Sequence, residues 1–247
     1  MRLSIFLFLS LFSFVRVSFS QDSTEFSIAP PTQLPTTKLA VWATQYYIHQ
    51  FESGGEIPFV DKNGAALGLF ADTCHFCEAA LEGTTYVTDS SGTIVVLNFA
   101  KTGDSTFVDC RKCLKYANSK LGVESWGKAT WAISSGYGDG VKNYRLVPYR
   151  TIAVDPQFIP YGTVIYIPTA RGMKLLLPNG KTAIHDGYFF AGDTGGAIKQ
   201  LHIDVFTGVY EGNPFPDVVK SNESKTVDAY LISDATIVTA LIKLHVN

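Results

Sequence analysis

Residues 191–206, AGDTGGAIKQLHIDVF, contain the clearest fold signal in the chain. In its last six positions Leu201, Ile203 and Val205 alternate with other side chains, which is the pattern of a β-strand with one apolar face. Asp204 lies in the same strand, on the opposite face. A carboxyl group within an apolar strand is costly unless it is hydrogen-bonded or functional. Asp204 is therefore the most informative single residue of the sequence.

Two more acidic residues stand beside turn-forming residues. Asp155 follows the apolar run 150–154 and precedes a proline, and Asp193 opens the DTGG turn. Taken alone, either residue is explained equally well as a turn cap or as a functional carboxyl group. Their occurrence together with Asp204, around one pair of glycines, favours a functional cluster of carboxyl groups.

The rest of the chain is rich in short apolar runs separated by Gly, Pro, Asn or Asp. Two helical stretches are predicted, at 110–121 and 235–244. No internal repeat is visible. The fold class predicted is all-β, a barrel or sandwich with a few short helices. The predicted strands are 41–48, 93–99, 129–134, 150–154, 164–168, 200–206 and 229–232.

Composition narrows the function classes. The 247 residues include 20 Lys+Arg and 22 Asp+Glu, with 46% apolar and 17% charged residues. The apolar fraction is that of a globular protein, which excludes a disordered chain, a coiled coil or a collagen-like fibre. A net charge of -2 with no basic run argues against a nucleic-acid partner.

The amino terminus has the pattern of an export signal. A basic start at Arg2 is followed by a Phe/Leu-rich run at 3–15 and by small residues at Ser18 and Ser20. This predicts a signal peptide over 1–20, cleaved before Gln21, and an exported protein of the periplasm, the cell envelope or the extracellular space. The run is shorter than the roughly 20 residues that span a bilayer, so we expect no membrane insertion after cleavage. Residues 21–38, rich in Pro and Thr, are expected to be a linker.

The four cysteines form two C-x-x-C pairs, Cys74 with Cys77 and Cys110 with Cys113. Such pairs indicate a cross-link, because each directs two sulfur atoms to one point. Two disulfides are favoured in an exported protein. A structural zinc ion held by the four thiolates is the alternative. Either one makes residues 54–121 a stapled insertion.

Three blocks of the sequence resemble a known family. They are AVDPxxIPxGTxxYI at 153–167, DTGGAIK at 193–199 and xIDxF at 202–206. In this order they are similar to the 3D domain, named for three aspartates, of stationary-phase survival proteins, and to the barrel domain of MltA-type lytic transglycosylases. WATQYY at 42–47 resembles the family's first strand. The resemblance implies a six-stranded double-psi β-barrel, within residues 39–247, whose cleft holds peptidoglycan glycan strands.

The resemblance also implies roles for individual residues. Asp204 matches the single catalytic acid/base, and Asp193 and Asp155 match the two accompanying aspartates. Gln200 stands where a glycine commonly follows the lysine of the second block. We expect the substrate to be bound by the remaining residues of that block and by the first strand, at Thr44, Tyr46, Thr194, Gly195, Gly196 and Lys199.

The implied activity is lytic cleavage of the MurNAc–GlcNAc β-1,4 bond, which leaves 1,6-anhydro-MurNAc ends and needs no cofactor. One carboxyl group suffices: it protonates the glycosidic oxygen and then accepts the proton of the C6 hydroxyl. For this the pKa of Asp204 must lie above its ordinary value of ~3.9, through burial or through Asp193.

Two other functions fit the same residues. The barrel could be a non-catalytic wall-binding or wall-loosening module, as in expansin-like proteins, with Asp204 contacting glycan. The DTG at 193–195 also prompts an aspartic protease, which would need two copies of Asp193 in a dimer. The transglycosylase hypothesis predicts a monomer.

Other side chains near the acids have both structural and functional interpretations. His185 and His202 are better explained as hydrogen-bonded structural residues than as metal ligands. Asn222 begins an Asn-Glu-Ser glycosylation sequon. Six aromatic residues are candidates to stack on sugar rings, although core positions are favoured for most of them: Tyr46, Tyr47, Trp126, Trp131, Tyr137 and Tyr188.

Overall fold

A computed structural model describes residues 26–246 of the protein. The predicted signal peptide lies outside the described residues. Within them the chain forms three α-helices: α1 (Thr73–Glu82), α2 (Val123–Trp126) and α3 (Ala235–His245). It also forms fourteen strands: β1 (Lys38–Tyr46), β2 (His49–Glu52), β3 (Ile57–Val60), β4 (Ala66–Ala71), β5 (Thr84–Thr88), β6 (Ile94–Thr102), β7 (Ala129–Ser134), β8 (Thr151–Ala153), β9 (Val164–Tyr166), β10 (Lys174–Leu176), β11 (Thr182–Ile184), β12 (Tyr188–Asp193), β13 (His202–Phe206) and β14 (Val227–Ile232).

Six strands close into a barrel in the order β1-β13-β8-β12-β9-β14. β1 runs parallel to β13, and β12 runs parallel to β8. The all-β class and the six-stranded barrel are thereby confirmed. β12 was not among the predicted strands, because its end, Ala191-Gly192-Asp193, has the composition of a turn.

Side chains alternate between the inside and the outside of this barrel, as the strand period of two requires. Val41 and Ala43 of β1 and Ile203 and Val205 of β13 are buried in the barrel's apolar core. Their neighbours therefore point outward, which places Asp204 on the outer surface of the barrel.

A second sheet, in the order β2-β5-β6-β7, packs beside the barrel. The sheet extends beyond the predicted insertion at 54–121, because β2 precedes residue 54 and β7 follows residue 121. Its own core contains the fully buried rings of Phe59, Phe76 and Trp131. A separate cluster joins the two bodies and combines residues of the barrel with residues of the sheet: Tyr46, Phe206, Tyr86 and Val96 among others.

The cysteines form two disulfides, Cys74–Cys113 and Cys77–Cys110, so the disulfide prediction is confirmed and the zinc alternative is wrong. Both join α1 to the segment after β6. The helix predicted at 110–121 is also wrong: two short 3₁₀ turns, Cys110–Lys112 and Leu114–Tyr116, are separated by the extended backbone of Cys113.

The predicted carboxy-terminal helix is confirmed as α3. Asp234 caps it by accepting from the backbone N–H groups of Thr236 and Ile237. At its other end the buried ring of His245 lies 3.1 Å from the Thr151 hydroxyl and stacks on Phe190, which anchors the helix to the barrel. No helix within residues 26–246 has the length and apolar character needed to cross a membrane.

Residues 26–30 of the predicted linker are fastened to the barrel. The Ile28 N–H donates to Asp186, whose carboxylate also accepts from the fully buried Arg150 in a two-pronged ion pair. The Phe26 ring lies 4.3 Å from the Arg150 guanidinium carbon, and the Tyr188 hydroxyl donates to the carbonyl of residue 29. Residues 26–29 are thus held on the barrel by hydrogen bonds to their backbone and by a cation–π contact.

The nested disulfides give a stability prediction. Because the Cys74–Cys113 loop encloses the Cys77–Cys110 loop, either bond alone closes nearly the same stretch of chain. Replacing all four cysteines by alanine should lower the free energy of unfolding by about 4 kcal/mol, the loop-closure value for such a length. Replacing only Cys74 and Cys113 should cost much less. Urea denaturation measures both, and equal losses would contradict this account.

Candidate active site

The candidate site is a row of side chains across four neighbouring barrel strands. Thr44 of β1 pairs with Asp204 of β13, Asp204 pairs with Ala153 of β8, and Ala153 pairs with Asp193 of β12. Directly paired residues point to the same face of a sheet. The two aspartates therefore flank the small side chain of Ala153 on the barrel's outer face, beside the second sheet.

A β-bulge brings Asp193 into this row. The register between β12 and β8 shifts between Ala191 and Asp193, at Gly192. A bulge re-aims the side chain that follows it. A Cβ atom on Gly192 would lie 3.0 Å from the Phe190 ring, so this crowded position suits glycine.

Asp204 is held by its neighbour on β1. The Thr44 hydroxyl donates to Oδ1 of Asp204 over 2.6 Å, and the Thr44 hydroxyl oxygen also lies 2.8 Å from Nε2 of His202. The His202 ring stacks on Trp42, with ring centroids 3.5 Å apart and planes 8° apart. His202 is hydrogen-bonded, as expected, and its ring is fixed in orientation.

Asp193 is held from two sides. The Tyr46 hydroxyl donates to Oδ2 over 2.7 Å, and the Thr194 backbone N–H donates to Oδ1 over 2.8 Å. The Tyr46 ring is only 8% exposed. Tyr46 therefore contacts the acid through its hydroxyl and has no free ring face for a sugar.

The surroundings shift the proton affinities of both acids. Burial raises the pKa of Asp204 to about 7, the Thr44 hydrogen bond opposes this, and the Asp193 charge adds to it. Burial raises the pKa of Asp193 to about 6, against its two hydrogen bonds. Both residues keep part of their surface open to solvent although protein atoms crowd their carboxyl groups. At neutral pH the site therefore holds one acid close to its titration midpoint and one that is mostly ionised.

A third carboxyl group, which the sequence did not indicate, faces the same site. Glu82 at the end of α1 accepts from the Tyr47 backbone N–H over 2.9 Å. Burial raises its pKa to about 8; the Tyr47 bond opposes the rise, and the Asp204 charge adds to it. Glu82 lies far from the aspartate motifs in the chain, and only the packing of α1 beside the barrel brings it near them.

Asp155 has different surroundings. Its carboxylate accepts from the backbone N–H groups of Gln157 and Gln200, at 3.0 and 2.9 Å. The bond from Gln200, and to a smaller extent the bond from Gln157, hold the pKa of Asp155 below its ordinary value. The charge of Lys199 lowers the pKa further. Gln200 has the left-handed φ of 57°, which accounts for glycine as the common residue there. Asp155 thus fixes the loop that leads into β13.

The other predicted residues divide by exposure. Thr194, Gly196 and Lys199 are exposed on the loop between β12 and β13, and Gly195 is half-buried there. Trp131, Tyr137 and Tyr188 are core residues, whereas Tyr47 donates to Glu78 and half-buried Trp126 packs on Tyr116.

His185 is buried and contacts the Tyr149 carbonyl, as a structural histidine would. Among residues 26–246 no group of three or more His, Cys, Asp or Glu side chains is arranged to hold a metal ion.

Comparison with known families identifies the class of this region. Residues 150–212 match the model of the 3D domain, which confirms the resemblance given by the three sequence blocks. This stretch contains Asp155, Asp193 and Asp204, together with strands β8 to β13.

Solved structures of lytic transglycosylases are similar to this chain. The membrane-bound lytic murein transglycosylase of Agrobacterium tumefaciens matches with a TM-score of 0.52 and 13% identity, over 81% of this chain and 76% of that one. MltA of Escherichia coli with bound chitohexaose matches with a TM-score of 0.49 and 16% identity, over 78% and 71%. No curated protein sequence matches. The fold is thus shared with the Agrobacterium tumefaciens enzyme.

The Tyr46–Asp193 hydrogen bond can be tested directly. Tyr46→Phe removes the donor that favours the carboxylate, so the pKa of Asp193 should rise from about 6 by about one unit. A carbon-13 NMR titration of the carboxyl group measures this. Tyr47→Phe is the matched control, because its hydroxyl bonds Glu78 instead. An unchanged Asp193 titration in Tyr46→Phe would show that the bond is absent in solution.

Proposed function

We propose that this protein is a lytic transglycosylase that cleaves the MurNAc–GlcNAc bond of peptidoglycan and leaves 1,6-anhydro-MurNAc ends, with Asp204 as the single acid/base. The observation that carries the proposal is the state of Asp204: a carboxyl group with a pKa of about 7, on the outer face of a 3D-type barrel. A general acid is most effective when its pKa lies near the working pH.

The contacts of Asp204 suit both halves of the reaction. Within residues 26–246, the hydrogen bond from Thr44 occupies Oδ1, which leaves Oδ2 for the substrate. The protonated carboxyl would donate to the glycosidic oxygen as the bond to C1 breaks. The resulting carboxylate would accept the C6 hydroxyl proton while the C6 oxygen bonds C1, so that no water is consumed.

Asp193 would support this chemistry electrostatically. Its lower pKa keeps it mostly ionised while Asp204 is still protonated, because the two environments differ. A carboxylate beside the reacting sugar stabilises the positive charge that develops at C1. The same charge helps to keep Asp204 protonated.

The exposed loop 194–200 supplies contacts for the substrate. Lys199 is its exposed cation, suited to a lactyl or peptide carboxylate of peptidoglycan. Asp155 would act indirectly, by anchoring this loop through Gln200. An exported protein of the cell envelope is consistent with such a substrate, as are the lytic transglycosylases that share the fold.

The decisive experiment is mass spectrometry of the products released from purified peptidoglycan. Protein comprising residues 21–247 should release 1,6-anhydro muropeptides, and Asp204→Asn should lower the rate about 10²–10⁴-fold. A substantial rate in Asp204→Asn would refute the assignment. Sedimentation with the wall but no product from either protein would instead indicate a wall-binding module.

The pH profile tests the division of roles. Activity needs protonated Asp204 and ionised Asp193, so it should fall as pH rises through about 7 and as it drops through about 6. Asp193→Asn should remove the acid limb and move the alkaline limb to lower pH, because the repulsion that raises the Asp204 pKa is lost. Asp155→Asn should lower activity without moving either limb. An alkaline limb that does not move in Asp193→Asn would contradict the electrostatic role.

A further inference from the structure

The hairpin formed by β10 and β11 has apolar side chains on both of its faces. On the inner face, Leu175 is buried in the barrel core. The Tyr149 hydroxyl donates to the Leu176 carbonyl over 2.7 Å, which holds the hairpin in place. On the outer face, Leu176 is 53% exposed and Ile184 is 55% exposed. A strand that is apolar on both sides is typical of a strand covered on both sides, so the open outer face suits a partner.

The two exposed apolar side chains belong to one patch. Lys174 pairs with Ile184, and Leu176 pairs with Thr182. Directly paired residues point to the same face, so all four side chains project away from the barrel, opposite Leu175. Leu176 and Ile184 are diagonal neighbours on this face. A single exposed apolar side chain is ordinary on a protein surface, whereas this pair is held together by a fixed register.

The surroundings of the patch are basic. Residues 171–184 include Arg171, Lys174 and Lys181 and no acidic residue, whereas the whole chain has a net charge of -2. All three cations are exposed. The Arg171 guanidinium donates to two backbone carbonyls, at 3.2 and 2.8 Å, which fixes its position without neutralising its charge. The hairpin therefore combines an apolar pair with a local excess of positive charge.

We propose that the outer face of the β10–β11 hairpin docks on an anionic phospholipid surface. Leu176 and Ile184 would enter the boundary between the head groups and the acyl chains. Lys174 and Arg171 would meet the lipid phosphates, with the aliphatic stem of the lysine lying along the apolar patch. Apolar side chains rimmed by cations are the combination that interfacial binding to anionic lipids requires.

Other partners fit this face less well. In a twofold dimer the same patch would face itself, which would bring Lys174 and Arg171 against their own copies. Like charges opposed across an interface are unfavourable. An anionic polymer of the wall would satisfy the cations but would offer no apolar phase to Leu176 and Ile184. A lipid surface satisfies both parts of the patch.

This docking goes beyond the proposed function and does not depend on it. Leu176 and Ile184 lie outside both the row of side chains around Asp204 and the loop 194–200. The export predicted from residues 1–20 would bring the protein to a membrane surface. Contact through two aliphatic side chains and a few cations is peripheral and reversible, and it does not span the bilayer.

The first test is sedimentation of residues 21–247 with lipid vesicles, in the absence of peptidoglycan. The protein should bind vesicles with about one-third phosphatidylglycerol, should not bind pure phosphatidylcholine, and should be released by high salt. The double variant Leu176→Ser/Ile184→Ser should bind at least about tenfold more weakly. Lys174→Gln should bind about fivefold more weakly. No binding of the unaltered protein to the anionic vesicles would overturn the proposal.

Matched controls come from the second sheet and its surroundings. Ile133 on β7 is 68% exposed, and Lys62 is exposed in the turn between β3 and β4. Ile133→Ser and Lys62→Gln should keep full vesicle binding. Losses equal to those of the hairpin variants would overturn the proposal, because they would show that binding is not specific to this face.

The second test locates the contact without weakening it. Leu176→Trp adds an indole ring to the patch, and phosphatidylcholine with brominated acyl chains, mixed into the anionic vesicles, quenches indole rings that reach the chains. Bound Leu176→Trp should show quenched emission beyond that of the unaltered protein, and Ile133→Trp should not. Vesicle binding without this additional quenching would overturn the proposal, because the protein would then bind through another surface.

Two further measurements identify the other partners. A dimer, detected by sedimentation equilibrium, that dissociates in Leu176→Ser/Ile184→Ser would assign the face to a second copy and overturn the lipid proposal. Weaker sedimentation of this variant with purified peptidoglycan, with vesicle binding unchanged, would assign the face to the wall and also overturn it. Vesicle binding without release of lytic products would reject the transglycosylase function and leave the docking surface intact.

Discussion

The parallel pairing of β1 with β13 is the contact on which the site depends. It joins residues about 160 positions apart and aligns Thr44 with Asp204. A slip of one residue would turn every side chain of β13 to the other face, placing Asp204 in the apolar core. The core residues Val41, Ala43, Ile203 and Val205 oppose that slip. The packing that stabilises the barrel is therefore also what sets the position of the acid.

The second sheet gives this position its chemical character. On the bare outer face of a barrel, Asp204 and Asp193 would be hydrated and would titrate as ordinary carboxyl groups. The cluster of Tyr46, Phe206 and residues of β5 and β6 excludes much of that water. The disulfide-linked helix α1 also brings Glu82 to the same place. The second sheet and its disulfide-linked helix thus supply the low-polarity wall that a protonated acid requires.

The sequence alone predicted the barrel and drew attention to Asp204. The elements and residues that it missed were missed for physical reasons. Alternation in 201–206 identified Asp204, and the 3D blocks predicted the barrel. β12 was missed because its glycine bulge has the composition of a turn, although that bulge is what aims Asp193. α1 was missed because its C-x-x-C was interpreted only as a cross-link. Glu82 could not be found, since only tertiary packing brings it near Asp204. Tyr46 was selected from the sequence as a candidate substrate-binding residue, and in the structure it is buried and donates its hydroxyl to Asp193.

The buried titratable groups also make the stability of the fold depend on pH in two opposite ways. Asp193, Asp204 and Glu82 have folded-state pKa values above those of the unfolded chain, so their contribution is fully present below about pH 4 and is lost as pH rises from there through their folded-state values of about 6 to 8. His185 and His245 are held neutral by burial, with pKa values of about 3 and 4, so their contribution is lost as pH falls below about 6.5. The carboxyl groups of the site penalise the folded state in alkali, and the core histidines penalise it in acid. Between about pH 4 and 6.5 the two effects therefore oppose each other, and above that range only the carboxyl groups continue to lower the free energy of unfolding.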